Sequence, residues 1–141
     1  MIKISTNLAR HRTDRQKQAV TWAPEGRHAT TRAHVVEGFH GQAALINCWL
    51  ETGRTHQIRV HLAYAGHGLL GDPTYGGKRK MSEKLLGEAA LLAMEFPRQA
   101  LHAATLGFEH PVTGERMEFS APLPQDMADL VEALRSAGDE E

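Results

Sequence analysis

The run TGRTHQIRVHL at residues 52–62 constrains this chain more than any other segment, because it places a cation within an amphipathic helix. Thr55 and Gly66 are residue types that begin and end helices. Arg59 lies between them, among apolar positions. A guanidinium on a mostly apolar element is costly unless it meets a carboxylate or a phosphate, so the run predicts a functional site rather than a surface helix. Three apolar positions share one helical face by i, i+4, i+7 spacing: Ile58, Leu62 and Ala65.

The two arginines of this run, Arg54 and Arg59, have two interpretations. In the first, they are surface cations paired with Glu51 or Glu37 and contribute little. In the second, they bind a phosphate or a carboxylate beside the helix N-terminus, where free backbone N–H groups also favour anions. Glycines on both sides of the run favour the second interpretation, since they allow a ligand to approach the backbone closely.

The remaining chain interleaves short β-rich runs with isolated helical patterns, which predicts an α+β fold in one domain. With 141 residues, 41% of them hydrophobic, it can bury a modest core. We divide it into an irregular basic arm (1–31), a sheet that carries the motif helix (32–124) and an amphipathic C-terminal helix (125–137) that Gly138 ends. The predicted strands are 32–39, 43–50, 101–108 and 115–120, with a tight loop at 71–77 and a loop with a short helix at 78–97.

Charge is distributed unevenly along the chain, although the net charge is only −1. Residues 1–80 hold twelve Lys and Arg against five Asp and Glu, whereas residues 81–141 hold four against twelve. A basic half is typical of a protein that binds a polyanion, most often nucleic acid. Two halves of opposite charge that face each other or solvent would give the same pattern.

Cysteine content and hydropathy bound the cellular compartment. Cys48 is the single cysteine, which rules out an internal disulfide and fits a reducing cytosol. No apolar stretch approaches the length of a membrane span, and the first residues lack the apolar segment of a secretory signal. The sequence therefore predicts a cytoplasmic protein with no membrane segment.

Histidines near the motif raise the alternative of a metal site, which we do not expect. His56 and His61 are five residues apart, so they lie on different faces of a helix, and no HExxH pattern occurs. Folds satisfy many histidines with ordinary hydrogen bonds. Nucleophilic catalysis has no support either, because Cys48 lacks basic neighbours in sequence and no GxSxG occurs. The loop GDPTYGG lacks the ending of a phosphate-binding P-loop.

Three segments together resemble RluA-type pseudouridine synthases. RHRTDRQKQAV at 10–20 resembles the family's SRHPTxRxxMAV segment, and LETGRTHQIRVHLAYAGHGLLGDPTYGG at 50–77 resembles its most recognisable motif. RQALHAATLGFEHPVTGERMEFSAPLPQDM at 98–127 also fits the family. The resemblance covers nearly the whole chain, and the central motif is long and highly specific.

The resemblance implies a fold, a reaction and a set of site residues. The fold would be the C-terminal portion of the pseudouridine synthase core, a mixed, largely antiparallel sheet with a cleft and flanking helices. The reaction would isomerise uridine to pseudouridine in large-subunit (23S) ribosomal RNA, with the base flipped into the cleft and with no cofactor or metal. Arg59 matches the motif arginine, which would pair with a catalytic aspartate and keep it ionised. The implied pocket residues are Ile58, Leu62 and Leu70, and the implied RNA contacts are Arg10, Arg12, Arg15, Lys17 and Arg54.

One departure from the family pattern bears on activity. The family's catalytic aspartate lies in an HRLDxxTSGLL-type segment, and its active-site tyrosine also lies upstream; these 141 residues contain neither segment. HRTD at 11–14 resembles HRLD, but RQKQAV follows it, so we do not expect Asp14 to be the nucleophile. Asp72 is expected to fix its loop by accepting backbone N–H groups. Arg59 is thus expected to lack its aspartate within this chain.

Two expectations follow from this departure. The isolated chain should be inactive or nearly so, and an RNA-binding module without catalysis is the alternative function. An RNA-binding domain of the S4 type, common in the subfamily, is also missing. Because half a sheet leaves strand edges unpaired, we expect the chain to associate with itself or with an N-terminal half.

Overall fold

The computed structural model describes residues 1–76 and 81–137 and shows an α+β fold. Four strands form one antiparallel sheet in the order β2-β1-β3-β4, and β5 and β6 form a separate antiparallel pair. The predicted fold class, an antiparallel sheet with flanking helices, is confirmed. The strands are β1 (Ile2–Arg10), β2 (Gln18–Thr21), β3 (Arg27–Phe39), β4 (Ala43–Leu50), β5 (Thr105–Glu109) and β6 (Arg116–Ser120). The helices are α1 (Gln57–Tyr64), α2 (Glu83–Leu86), α3 (Glu88–Met94) and α4 (Gln125–Ser136).

The prediction of an irregular arm at residues 1–31 is wrong. β1 pairs along β3 from Ile2 opposite Ala33 to Leu8 opposite Arg27, and β2 folds back on the other edge of β1. Within β1, Ile4 and Leu8 are buried while the residues between them are partly or fully exposed. Lys3, Ser5 and Asn7 lie on the other side of this strand, but Thr6 is a polar residue on the covered face, which obscured the alternation in the sequence.

The other predicted elements occur with shifted boundaries. The β3–β4 hairpin is confirmed, although β3 begins earlier than predicted and has an irregularity between Val35 and Glu37. β5 starts at Thr105, so 101–104 is not a strand. The segment predicted as a loop with a short helix contains two helices, α2 and α3. The part of that segment before residue 81, the last residue of the 71–77 loop, and Gly138 lie outside the described residues.

Two apolar cores hold these elements together. In the first, α1 packs on the sheet, with Val60 against Leu8 and Ala29. In the second, α3 and α4 pack on the far end of the β3–β4 hairpin. Within the part of the chain that the structure describes, no helix has the length and hydropathy to span a bilayer. The fully or largely buried members of the second core are Phe39, Met81, Leu86, Ala89, Ala90, Ala93, Phe96, Met127, Leu130, Leu134 and Ala137.

Part of the large sheet is not covered by α1. Opposed residues of paired strands point to the same side of a sheet, as do residues two apart. The pairs Ile2 with Ala33 and Leu50 with Thr31 therefore share the face on which α1 lies, and Val35 shares it too. Ile2, Val35 and Leu50 are each at least half-exposed. The sheet thus presents apolar side chains beyond the end of α1, next to the edge of β4, with which no strand of the described residues pairs besides β3.

Candidate active site

The motif helix begins one residue later than predicted and buries a different face. His56, not Thr55, is the N-cap, with a left-handed backbone (φ 54, ψ 22), and Ala65 is the C-cap. Gly66 follows at φ 90, a position that favours glycine. Of the predicted apolar face, only Leu62 is buried, because Ala65 is exposed and Ile58 is only partly buried. The other buried residues of the helix are Gln57, Val60 and His61.

Gln57 is a buried polar residue whose hydrogen bonds tie the start of α1 to β3. Its Nε2 donates to the carbonyl of Thr30 at 2.9 Å and to Oγ1 of Thr31 at 3.0 Å. Its Oε1 accepts from Oγ1 of Thr52 at 2.7 Å and from the amide of Arg54 at 3.0 Å. The side chain is therefore satisfied at both ends, and it fixes how the helix starts relative to the sheet.

His61 is a second buried polar residue that ties α1 to the sheet by hydrogen bonds, one turn after Gln57. It is fully buried, with Nε2 at 2.8 Å from Oγ1 of Thr6 and Nδ1 at 2.7 Å from Oγ1 of Thr31. Burial lowers the pKa of His61, and the nearby charge of His28 adds to that effect. Among residues 1–76 and 81–137, no cluster of three His, Cys, Asp or Glu side chains could hold an ion.

Arg59 faces away from the sheet and forms a two-point ion pair with Asp72. Nε of Arg59 donates to Oδ2 at 2.9 Å and Nη2 donates to Oδ1 at 2.8 Å. The Asp72 side chain is 0% exposed and that of Arg59 is 11% exposed. Oδ1 also accepts the amides of Thr74 and Tyr75, at 3.0 and 3.1 Å. The geometry confirms that Asp72 fixes its loop and adds a pairing with Arg59 that the sequence did not predict. That the catalytic aspartate lies outside these 141 residues stays a prediction.

These contacts set the ionisation of both partners. Burial would raise the pKa of Asp72, but the hydrogen bonds from Arg59 and from the two backbone amides outweigh it and hold that pKa below its ordinary value. The bond to Asp72 raises the pKa of Arg59 in turn. Both groups are therefore charged at neutral pH. The pair uses Nε and Nη2 of the guanidinium and leaves Nη1 outside it.

Tyr75, which the sequence did not single out, joins this ion pair to β2 and to the N-cap of α1. Its hydroxyl accepts the amide of Gln18 at 2.8 Å and lies 2.8 Å from Nδ1 of His56. The guanidinium carbon of Arg59 lies 4.9 Å from the ring centroid, and Nζ of Lys17 lies 5.7 Å from it. The sequence places this aromatic residue inside a loop rich in glycine and proline. An aromatic ring in such a loop has to pack against residues elsewhere in the fold, and this could have indicated its role.

The residues predicted to contact RNA lie in two places. Arg10 ends β1, and Arg12 and Arg15 lie in the exposed turn that follows. Lys17 closes that turn beside Tyr75. Arg54 precedes α1, where its Nε donates to the carbonyl of His28 at 2.9 Å. It lines a small cavity together with Arg27, a cation that the sequence analysis did not select. Their role in RNA binding remains a prediction.

Of the three residues predicted to wall a uracil pocket, Ile58 and Leu62 lie four residues apart on α1, and Leu70 lies in the segment that follows. Leu62 is buried, Ile58 is partly buried, and Leu70 packs against the core formed by α3 and α4. A larger groove beside Tyr75 is lined by other residues, among them Val60 and Tyr64. None of the three lines either of these two concavities.

Comparison with known proteins shows which family this chain resembles. A family model described as RNA pseudouridylate synthase matches residues 2–64. The chain is 48% identical over 132 residues to ribosomal large subunit pseudouridine synthase D of Vibrio cholerae. The alignment covers 94% of this chain and 40% of that protein. It is 47% identical to an uncharacterized RNA pseudouridine synthase of Bacillus subtilis, over 96% of this chain and 39% of that protein. The chain thus spans about 40% of the length of these relatives.

A solved structure gives the same result. Human RNA pseudouridylate synthase domain containing 1 matches 99% of this chain and 61% of its own length, with a TM-score of 0.61 and 26% sequence identity. The sequence motif, the fold and the relatives therefore agree, and the chain belongs to the RNA pseudouridine synthase family.

Proposed function

We propose that this chain supplies the arginine side of the active site of a synthase that isomerises uridine to pseudouridine in large-subunit ribosomal RNA. The observation that carries this proposal is the nearly buried guanidinium of Arg59, held by Asp72 with Nη1 left outside the pair. The names of the similar synthases from Vibrio support the choice of ribosomal RNA. Such an enzyme would act in the cytoplasm.

The ion pair limits what Arg59 can offer to the reaction. Because Asp72 already balances its charge, the pair is close to neutral as a unit. A second carboxylate would therefore be oriented by a directed N–H donor on Nη1 rather than held by a net positive charge. Asp72 fixes the guanidinium plane by two bonds, which makes that donor's direction well defined. This is the role we propose for Arg59: to orient the catalytic aspartate that the family mechanism requires.

Neither candidate aspartate of this chain is suited to attack a substrate. Asp72 has no exposed side-chain surface, and both of its oxygens accept hydrogen bonds. Asp14 lies in the exposed turn after β1, where its Oδ1 accepts the amide of Gln16 at 3.2 Å. We therefore propose that the 141 residues alone do not catalyse the isomerisation, and that the catalytic aspartate comes from a segment like HRLDxxTSGLL.

The test is a chimera in which this chain replaces the matching part of the Vibrio cholerae synthase. Pseudouridine formation in a transcript of the large-subunit RNA should be detectable for the chimera and absent for the 141-residue chain. Arg59→Lys should abolish it, because a lysine cannot bind Asp72 at two points and still present a third donor. Arg32→Lys is the matched control, since the Arg32–Glu51 pair is exposed. Product from the isolated chain, or an active Arg59→Lys chimera, would contradict the proposal.

The second candidate is an RNA-binding module without catalysis. Arg27 and Arg54 line one cavity, and Arg12 and Arg15 are exposed on a nearby turn, so a phosphate backbone could bind without a reaction at Arg59. An inactive chimera, together with salt-sensitive binding of ribosomal RNA by the chain, would favour this candidate.

We also propose that another polypeptide covers the apolar sheet face beyond α1. The half-exposed side chains of Ile2, Val35 and Leu50 and the open edges of β2 and β4 support this. The covering segment would be the rest of a longer synthase or, for the isolated chain, a second copy.

A further inference from the structure

An open groove of about 560 Å³ lies beside Tyr75, on the side of its ring reached by Lys17. Helix α1 lines it with Val60 and Tyr64, which are four residues apart and so share one helical face. β2 lines it with Val20, and Trp22 follows two residues later on the same side of the sheet. Val20, Val60 and Tyr75 also belong to the core under α1 and form the floor. The groove therefore has a rigid apolar base.

Two aromatic rings stand exposed at this groove. The side chain of Trp22 is 84% exposed and that of Tyr64 is 55% exposed. Single exposed apolar residues are common on protein surfaces and need no explanation. Two large rings on opposite elements, at one groove with an apolar floor, form a combined surface on which planar groups can stack.

The charge of the groove selects among possible occupants. Lys17 and His11 line it, and its lining includes no carboxylate among the described residues. Arg12 and Arg15 are exposed on the same turn as Lys17. Aromatic rings for bases beside cations for phosphates are the features by which proteins hold single-stranded nucleic acid. An apolar protein segment would match the rings but would leave the cations without partners.

We propose that this groove binds unstacked nucleotides of single-stranded RNA, with bases stacked on Trp22 and Tyr64 and a phosphate at Lys17. The proposal rests on the RNA-modifying function proposed above and extends it to a second subsite. Tyr75 lines this subsite and also contacts Arg59, whose guanidinium carbon lies 4.9 Å from the ring centroid. The bound nucleotides would therefore flank the target uridine and help hold its strand unpaired when the base is flipped.

The experiment is a titration of the 141-residue chain with a short fluorescent oligouridylate, followed by anisotropy. Trp22→Ala should weaken binding by about tenfold, because one base–aromatic stack contributes roughly that much. Trp22→Phe should retain most of the affinity, since it keeps a ring. Trp49→Ala is the matched control: Trp49 is also partly exposed, but it lies on β4, outside the groove. It should bind like the unchanged chain.

Salt dependence separates stacking from charge. Lys17→Ala should weaken binding and reduce the slope of log affinity against log salt by about one, whereas Trp22→Ala should leave that slope unchanged. Thermal unfolding monitored by circular dichroism checks that each variant folds. Equal affinities for Trp22→Ala and Trp49→Ala, equally tight binding of duplex RNA, or no binding of RNA would each overturn the proposal. The isomerisation assay on the chimera decides the proposed function independently, because it is scored by product rather than by affinity.

Discussion

Arg59 and Asp72 bind each other at two points across thirteen positions of sequence, and this pair attaches the loop after α1 to the helix itself. The planar guanidinium matches the two carboxylate oxygens, and two backbone amides complete the coordination of Oδ1. The same contact serves two purposes. It gives the loop its shape, and it holds the guanidinium in a single orientation beside Tyr75.

Asp72→Asn should lower the free energy of unfolding by about 3 kcal/mol, because it leaves the largely buried guanidinium of Arg59 without a counter-charge. Urea unfolding at neutral pH measures the loss. Asp126→Asn is the matched control, since Asp126 makes the same two-point pair with Arg98 on the exposed surface and should lose far less. Equal losses in the two variants would show that the buried pair stabilises the fold no more than the exposed pair does.

Stability should fall as the pH drops below 6.5, the ordinary pKa of histidine. The folded-state pKa of His61 is lowered, chiefly by burial, so the unfolded chain binds a proton at a pH where the folded chain does not. The loss of stability begins as the pH falls to the pKa of His61 in the unfolded chain. It is complete once the pH lies below the pKa of His61 in the folded chain. His61→Gln should flatten this part of the urea-midpoint profile, leaving the smaller contribution of His56, whose pKa is lowered in the same direction. A profile unchanged by the substitution would contradict the assignment.

His56 combines a left-handed backbone at the N-cap of α1 with a hydrogen bond to Tyr75. His56→Ala loses the bond and keeps the strain, whereas His56→Gly loses the bond and removes the strain. The glycine variant should therefore be the more stable of the two by about 1 kcal/mol, measured by thermal unfolding.

His40 offers the matched control for this comparison, because it has the same backbone conformation (φ 55) in the exposed β3–β4 turn. His40→Gly should be at least as stable as the unchanged chain, since glycine relieves the strain there as well. His56→Gly should be less stable than the unchanged chain, because it also loses the contact with Tyr75. If both glycine variants gain stability, the bond to Tyr75 contributes nothing.

The fold was predictable where burial follows apolar periodicity and unpredictable where polar partners replace it. The β3–β4 hairpin and α4 have apolar residues at strand and helix spacing, and both were found. In α1 the buried face includes Gln57 and His61, whose polar atoms are satisfied by Thr30 and Thr31 on the neighbouring strand. Periodicity selects apolar positions, so it chose the face of Ile58 instead.

The site was predictable to the same extent. Arg59 could be recognised because a cation at an apolar position requires a partner, and Asp72 because aspartate fixes turns. Their pairing could not be predicted, since no local pattern connects residues thirteen positions apart. Tyr75 was missed for the same reason: its partners lie far from it in sequence, with Gln18 on β2 and with His56 and Arg59 at the start of α1.

Gly71→Ala should be strongly destabilising. Gly71 has φ 74, and a Cβ there would overlap the carbonyl oxygen of Arg98, which is backbone and cannot move aside cheaply. We expect a loss of roughly 3 kcal/mol, from left-handed strain and overlap together. Gly114→Ala is the control, because its φ of 73 is similar but its Cβ would meet open space. It should lose only about 1 kcal/mol. Similar urea midpoints for both variants would contradict the close approach at Gly71.

The isolated chain should self-associate at high concentration through the sheet face beyond α1. Val35 and Leu50 are half-exposed on that face, next to the unpaired edge of β4. Leu50→Lys should weaken association by roughly tenfold or more, because an apolar interface would then bury an unpaired charge. Sedimentation equilibrium measures the change. Val112→Lys is the matched control, since Val112 is even more exposed but lies in the β5–β6 turn, and it should leave association unchanged. A chain that stays monomeric at every concentration would contradict association through this face.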